Sequence, residues 1–569
     1  TDPNGGGPTS SINPVVDRLN SKDDTRSYDV MANIYLQYSP VKEIILKTTF
    51  SPMYTKTHRG TFYNGETQLR SGKTNMAENY NDEIFSYTWD TQANYIKNFG
   101  DHSLNALALF SVYEQKLQGD YINVVDMPFD VDWHNLGSGT VQSQSSYYKK
   151  ISMLSYVARI NYAYKGKYML TVSSRWDGSS KFQKDNRWGM FPSAALAWRI
   201  SDEDFMGFAS KWLSNLKLRA SFGVTGNNAG VGPYDTQALA NIKYYYNYGS
   251  SVANGYGYTM TNADLTWEKT TEINLGLDFG FLNNRINGSI DIYNKDSKDL
   301  LMEMETPFEL GSYTGSIVSN VGKVNNKGIE IQVSATPFKG DFSWETTLSW
   351  SKNNNKILSL ANNQNQLANA SAGTKWGNVM RNYVGRPMGD MYMLKVIGTF
   401  NTEKDLAQYA KNGTQDIGDL IFEDYNKDGT IDVNDYQLVG NYQPDFTFGW
   451  NNTFIYKDFD LAVTIDGQCG GNVIYAAARA FSLNRYDDNV LAESGLGRWK
   501  SSTDPGNGRS HKAGTNNLGS NIGPSTRYLY DADFLRIRNV SLGYTLPKKF
   551  CKIIGIENMR ISANVQNLW

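Results

Sequence analysis

Long hydrophobic runs are missing from this chain of 569 residues. No apolar stretch approaches the ~18 residues of a membrane-crossing helix, and the mean hydropathy is −0.51. That absence excludes helical membrane spans but leaves open a barrel, whose strands need only alternate. Cysteine is scarce. Cys469 and Cys551 stand far apart, which excludes a disulfide framework and a cysteine-based metal knuckle. The four histidines, His58, His102, His134 and His511, have spacings that suit no metal site. Neither sign of charge dominates, with 55 Lys and Arg against 57 Asp and Glu. The net charge of −2 removes the electrostatic case for nucleic acid. Nucleophile elbows, phosphate loops and zinc signatures are absent too, so no enzymatic chemistry is expected. The start, Thr1–Gly7, is no signal peptide, so the chain is expected to be a piece of a longer or processed protein.

What the chain has is one strand pattern used repeatedly. Thr271, Ile273, Leu275, Leu277 and Phe279 fall on one face of a strand, and Glu272, Asn274, Gly276 and Asp278 on the other. After Leu282-Asn283-Asn284, the alternation resumes with Ile286, Gly288, Ile290 and Ile292. A period of two sends side chains to opposite sides of a sheet. The pattern predicts strands near 27–38, 42–54, 86–98, 102–115, 154–164, 167–176, 191–199 and 214–225. Others are expected near 269–281, 284–295, 326–337, 341–353, 446–456, 458–466, 532–546 and 558–568. Roughly 14–18 strands are too many for a single sandwich. Aromatic residues make up 13% of the chain, led by 37 Tyr. Such rings, with an apolar body and a wet tip, suit a membrane interface.

The connections alternate in length. Short turns such as Lys165-Gly166-Lys167 and Lys339-Gly340-Asp341 alternate with the long segments 55–85, 116–150, 227–260, 354–440 and 470–530. That asymmetry predicts an all-β fold, a large antiparallel transmembrane β-barrel. Its short turns face the periplasm and its long loops the outside.

Several segments are more specific than the pattern. They include Tyr156-Val157-Ala158-Arg159-Ile160-Asn161-Tyr162, Arg175-Trp176-Asp177-Gly178-Ser179-Ser180-Lys181-Phe182 and Trp188-Gly189-Met190-Phe191-Pro192-Ser193. Leu218-Arg219-Ala220-Ser221-Phe222-Gly223-Val224-Thr225-Gly226-Asn227, Trp267-Glu268-Lys269-Thr270 and Asn325-Asn326-Lys327-Gly328-Ile329-Glu330 follow in order. The last are Phe534-Leu535-Arg536-Ile537-Arg538-Asn539-Val540-Ser541-Leu542-Gly543-Tyr544 and Asn564-Val565-Gln566-Asn567-Leu568. Together they resemble the barrel of SusC/RagA-type TonB-dependent outer-membrane transporters.

The resemblance implies a 22-strand barrel, of which residues 1–569 are expected to supply the middle and later part. The N-terminal plug, the first strands and the last strand are expected to be missing. It also implies uptake of oligosaccharides or peptides across the outer membrane of a Gram-negative bacterium. A SusD-like surface lipoprotein and TonB are the implied partners, with TonB acting through the missing N-terminal region. Two competing expectations are a passive porin-type channel and a secreted glycan-binding β protein.

One motif carries site chemistry. Residues 424–435 read Asp-Tyr-Asn-Lys-Asp-Gly-Thr-Ile-Asp-Val-Asn-Asp. Against the calcium-loop template, Asp424, Asn426 and Asp428 take positions 1, 3 and 5, and Gly429 takes the sharp turn. Thr430 offers its backbone carbonyl, Asp432 stands at position 9 and Asp435 at position 12. Calcium takes six to eight such oxygens. Asp435 replaces the usual Glu, and no helices obviously flank the loop, so an isolated calcium loop is expected to stiffen the 354–440 segment.

Weaker signals are aromatic. Tyr244, Tyr245, Tyr246 and Tyr248, with Tyr256 and Tyr258 nearby, offer faces for stacking on sugar rings, but packing in the aromatic girdle or within a loop is the favoured reading. Trp133-His134 and Trp376 admit the same two readings. Asp130, Asp132, Asp202, Glu203 and Asp204 read as solvated loop charges.

Overall fold

The computed structural model describes residues 14–248, 251–258, 260–305, 316–360, 366–371, 378–413, 415–479, 490–514, 523–553 and 555–568. Strands β1 (Ser21–Met31) and β2 (Ile34–Val41) lie end to end against β3 (Ile44–Tyr63). After them come β4 (Met76–Phe99), β5 (His102–Val125), β6 (Thr140–Tyr164), β7 (Tyr168–Ser179), β8 (Trp188–Arg199) and β9 (Leu213–Asn227). Each of these is antiparallel to its predecessor. β10 (Ala240–Tyr248) and β11 (Ser251–Tyr258) pair only with each other. The wall resumes with β12 (Glu268–Phe281), which pairs with β9, and β13 (Ile286–Lys298).

A second outlying hairpin, β14 (Leu301–Glu305) and β15 (Ser316–Asn320), precedes wall strands β16 (Lys323–Phe338) and β17 (Phe342–Ser359). The longest loop holds β18 (Gln366–Ser371), β19 (Asn378–Tyr383), β20 (Asp390–Met393), β21 (Val396–Thr399), β22 (Leu420–Phe422) and β23 (Gln437–Asn441). β24 (Phe446–Tyr456) and β25 (Phe459–Cys469) rejoin the wall. β26 (Asn472–Ile474) and β27 (Leu529–Asp531) pair in the next loop, and β28 (Phe534–Thr545) and β29 (Arg560–Gln566) end the sheet.

Among the described residues the result is one antiparallel sheet of 17 strands, within the expected count. It follows chain order from β1 and β2 at one side to β29 at the other, and these end strands do not pair with each other among the described residues. The short turns use left-handed backbone. Lys165 and Gly166 have φ of 54° and 65°, and Leu282, Asn283 and Asn284 have 52°, 58° and 59°. Such φ values match the right-handed twist of the strands they join.

The alternation reads out as two surfaces. One is apolar yet exposed: Ile273 is 58% exposed, Leu275 50%, Ile292 54% and Leu542 51%. A contiguous apolar band of this size marks a surface that meets something other than water, and on a strand wall that is lipid. Two belts of aromatic rings bound it. At the short-turn end, Tyr168 stacks between Tyr164 and Trp198, at 6.4 Å from each. Trp212–Phe281 at 6.0 Å, Trp344–Phe454 at 5.8 Å and Phe459–Tyr544 at 4.5 Å continue the belt. At the long-loop end stand Phe50–Tyr87, Phe110–Tyr156 and Trp350–Phe446, at 5.6, 5.4 and 6.0 Å. From Tyr168 to Trp176 along β7 is ~26 Å of strand, the length of a bilayer crossing.

One expectation needs correction. Segments 55–85 and 116–150 are not long loops. β3 to β6 run on through most of them, leaving only the connections 64–75 and 126–139 outside strands. β4, with 24 residues, spans ~80 Å against the 9–11 residues that a bilayer demands. Beyond the aromatic belt these strands are mostly polar on both faces, up to a small core of Phe62, Ala77, Val124 and Met127 at their far ends. No hydrophobic alternation remains in Glu78-Asn79-Tyr80-Asn81-Asp82-Glu83 to announce a strand. The predicted strand 27–38 is likewise broken into two by Ala32 and Asn33.

Candidate functional site

The second surface of the wall is polar and faces the lumen. Arg219 on β9 donates to Asp278 on β12 at 2.8 and 3.0 Å, and to Asp291 on β13 at 3.0 Å. Lys217 adds a second cation to Asp278 at 2.8 Å. Arg536 and Asp466, then Arg560 and Asp460, repeat the pairing further round the wall, each closing to 2.5 Å. The alternating strand places all of these on the face opposite the apolar band, because each lies one residue away from a lipid-facing neighbour.

Between the ion pairs, polar side chains line two recesses in the lumen wall. One, of about 210 Å³, is lined by Asp291, Glu330, Gln332, Ser349, Ser351 and Thr447. The other, of about 320 Å³, shares Ser351 and Thr447 and adds Asn326, Asn353, Asn355 and Gln443. Asn353 and Asn355 both donate to Asn326 Oδ1, at 3.1 and 2.9 Å, and the Tyr293 hydroxyl donates to Asn353 at 3.1 Å. The two recesses form a continuous stripe of amides, hydroxyls and carboxylates on β13, β16, β17 and β24. Such groups exchange hydrogen bonds with hydroxyl- or amide-rich solutes. Gly389 has φ +81° and lets the Tyr442 ring lie against its backbone at the upper end of this stripe.

Above the stripe, two long loops pack into one unit. Leu394 N–H donates to Pro524 at 3.1 Å, and Thr526 N–H returns to Leu394 at 2.9 Å. Trp499 Nε1 donates to Asn401 at 2.9 Å, and Lys512 Nζ to the Ile417 carbonyl at 2.6 Å. Arg509 Nη2 reaches the carbonyls of Thr526, Arg527 and Leu529 at 2.9–3.0 Å. Leu394, Leu420, Phe422 and Ile431 form the small core. His511 is fully buried here. Burial, reinforced by the Arg527 guanidinium, holds its pKa down at about 3.

The 424–435 loop belongs to this unit. Lys427 and Gly429 adopt φ of 60° and 85°, which winds the loop back on itself. Asp424 accepts the N–H groups of Asp428 and Gly429 at 3.2 and 2.9 Å, and Asp428 accepts that of Thr430 at 2.8 Å. Asn426 accepts the Asp428 N–H at 3.0 Å, and Asp432 that of Asn434 at 2.7 Å. Asp435, fully buried, accepts from Tyr425 and Asp432, both at 2.9 Å. Every named carboxylate thus turns inward onto the loop's own backbone. Among the described residues, no three His, Cys, Asp or Glu side chains lie close enough together to hold a metal ion.

Tyr244, Tyr245, Tyr246 and Tyr248 lie on β10, paired with β11; their side chains, with those of Tyr256 and Tyr258, lie outside the described residues, as does Trp376. Trp133 packs its ring against Gly60 near the tip of the β3–β5 extension. Asp202 pairs with Arg199 at 3.5 Å. The sequence reading singled out none of the stripe residues as a site. Asn326, Glu330 and Arg219 were visible only as parts of longer motifs, because a polar residue on an alternating strand looks the same whether it lines a site or a wall.

A family model described as "TonB dependent receptor-like, beta-barrel" matches residues 1–466. The TonB-dependent receptor P3 of Formosa agariphila is 30% identical over 587 aligned positions, 98% of this chain and 55% of its own. The TonB-dependent receptor SusC of Bacteroides thetaiotaomicron is 31% identical, over 75% of this chain and 41% of its own. The chain therefore spans about half the length of the curated relatives it matches. Among solved structures, a chain of the RagAB peptide transporter aligns over 97% of this chain and 59% of its own, with a TM-score of 0.81 and 21% identity. That likeness speaks to the fold.

Proposed function

Because the chain belongs to the TonB-dependent receptor-like β-barrel family, we propose that it builds most of the wall of an active nutrient importer in the Gram-negative outer membrane. The apolar band between two aromatic belts is the membrane surface. The polar stripe of Asn326, Glu330, Gln332, Ser349 and Asn353, beneath packed long loops, is the observation that carries the reading. Its amides and carboxylates offer hydrogen bonds, and Met388, Tyr442 and Pro444 add apolar contact at its upper end, a mixture that suits oligosaccharides or peptides. Energy reaches such an importer through TonB and a plug, so the wall itself breaks no bond. A SusD-like lipoprotein over the long-loop mouth is the partner we infer, by analogy with the SusC relative.

We infer further that the 424–435 loop takes a structural calcium ion. The template spacing and the left-handed Lys427 and Gly429 support this. The carboxylates now bonded to loop N–H groups would turn part of their oxygen set onto the ion.

The importer reading is tested by growth of the source bacterium on single oligosaccharides or peptides as carbon source. Deletion of the gene is expected to abolish growth on one such substrate. Loss of TonB, or collapse of the proton-motive force, is expected to do the same. Uptake that survives both treatments identifies a passive channel. A protein that fractionates as soluble, without heat-modifiable gel mobility, identifies a secreted β protein.

A further inference from the structure

The two lumen recesses differ in charge. The lower one holds the carboxylates of Asp291 and Glu330. The upper one, of about 320 Å³, has no charged side chain in its lining. Ionic groups close to it in register or along the chain are engaged elsewhere. Lys295 lies opposite Asn326, but its ammonium stands 3.4 Å from Glu272 and over the Tyr293 ring. Arg386 is paired with the buried Asp390. Asp445 sets its carboxylate beside the backbone of Gly470.

The upper recess stands at the outer mouth of the lumen. Ser351 and Thr447 oppose each other across β17 and β24. Each is one residue from Trp350 or Phe446 of the long-loop belt. Tyr442 forms one side. Gly389 has no Cβ to hold the ring away, so the ring lies flush on its backbone. The Tyr442 side chain is still 48% exposed, which leaves aromatic surface uncovered beside the recess. Its neighbours are fixed in place. Asn441 Nδ2 and Gln443 Nε2 both donate to the Met388 carbonyl at 3.1 Å, and Met388 N–H donates to Asn355 at 2.9 Å. The platform is therefore set before any solute arrives, which lowers the ordering cost of binding.

Hydrogen-bonding groups are left over around it. Asn326 Oδ1 is taken by Asn353 and Asn355, which leaves the Asn326 Nδ2 group as a donor. Gln443 spends its Nε2 on Met388, which leaves its Oε1 as an acceptor. The hydroxyls of Ser351 and Thr447 make no hydrogen bond among the described residues. A sugar ring presents hydroxyls that donate and accept, together with an apolar C–H face. The amide donor, the amide acceptor and the two hydroxyls answer the first, and the Tyr442 ring answers the second. A short peptide carries charged ends and meets no counter-charge here for the hydration it gives up. An acidic glycan meets the same penalty.

We propose that the upper recess is a subsite for neutral oligosaccharides. One pyranose ring stacks on Tyr442, and its hydroxyls bond to Asn326, Gln443, Ser351 and Thr447. The subsite narrows the substrate class of the importer to uncharged glycans, and it rests on the importer reading given above.

The test offers two mixtures to the full-length protein, extracted in detergent. One holds neutral oligosaccharides from partial hydrolysis of starch, cellulose, xylan, mannan and laminarin; the other is a tryptic digest of casein. Retained molecules are identified by mass spectrometry, and affinity for the retained glycan is measured by titration calorimetry. The wild type is expected to retain a neutral oligosaccharide and no peptide. Y442L is expected to bind it about tenfold more weakly, the worth of one aromatic contact. S351A/T447A, which breaks no internal hydrogen bond, is expected to lose about as much. Y442F, which keeps the ring, should bind more tightly than Y442L. Heat-modifiable gel mobility shows which variants are folded, and S351A/T447A carries the test if Y442L is not. Retention of peptides, retention of no neutral glycan, or undiminished affinity in either folded variant overturns the subsite. A deletion strain that grows as its parent does on every oligosaccharide and peptide overturns the importer reading instead.

Discussion

Tyr168 donates its hydroxyl to Glu203 at 2.6 Å, which ties the aromatic belt at the short-turn end to the connection between β8 and β9. Trp198 Nε1 and Lys167 Nζ reach the same carboxylate at 2.9 and 3.2 Å. These donors hold its pKa at about 2, with the Tyr168 hydrogen bond the largest contribution. A carboxyl held below its ordinary value stabilises the fold above pH ~4.5, and that contribution is lost as the pH falls toward 2. Glu203→Ala is therefore expected to lower the temperature at which the heat-modifiable band collapses at pH 7, Glu203→Gln less so. The gap from wild type should narrow between pH 7 and pH 3 and close toward pH 2. An equal gap at both pH values excludes the role given to the charge.

Arg219 is the hub of the lumen ion network, and its removal leaves Asp278 and Asp291 without their shared cation. Arg219 is about one-third exposed, so the cost falls below that of breaking a fully buried pair. Arg219→Met is expected to destabilise the wall by about 1–2 kcal/mol. Combining it with Asp278→Asn and Asp291→Asn should recover most of that. Additive losses in a chemical-denaturation cycle argue against a shared network.

His511 makes the loop unit sensitive to acid. Its folded pKa of about 3 lies below the ordinary 6.5, so the unfolded loops bind the proton first. The stabilisation is complete above pH 6.5 and declines as pH falls toward 3, by at most about 1.4 kcal/mol per unit. Protection factors for amide exchange in 490–514 and 523–531, referred to the intrinsic rate at each pH, are expected to fall between pH 7.5 and 5. His511→Asn, neutral at every pH, should flatten that dependence. Identical exchange profiles for wild type and variant across this range count against the mechanism.

Calcium should protect the longest loop. Limited proteolysis of the full-length protein is expected to cut within 400–440 faster in chelator than in calcium at millimolar concentration, the range in which extracellular loops of this type bind. Asp424→Asn combined with Asp428→Asn should abolish the difference. Equal cleavage of the wild type with calcium and with chelator excludes a structural ion.

The wall was legible in the sequence wherever one face meets lipid and the other meets water. Residues 269–281 and 284–295 were predicted as strands and stand as β12 and β13, because Ile273, Leu275, Ile290 and Ile292 must all face one way. The upper halves of β3 to β6 were not legible, since water on both faces removes the alternation. The lumen stripe was invisible for a related reason. Asn326 and Asn355 are 29 positions apart in order of chain yet opposed in register, and periodicity along one strand carries no information about register against the next.

By itself, then, the sequence determined the strands within the bilayer, the side on which the turns are short, the family resemblance and the candidate calcium loop. All of these follow from local pattern, where neighbouring residues answer to the same solvent. Only the tertiary structure decided which residues meet across strands. It set Arg219 between two aspartates, laid polar recesses end to end and buried His511 beside Arg527. Those relationships depend on register and on loop packing, which are settled by long-range contacts rather than by any run of residues along the chain.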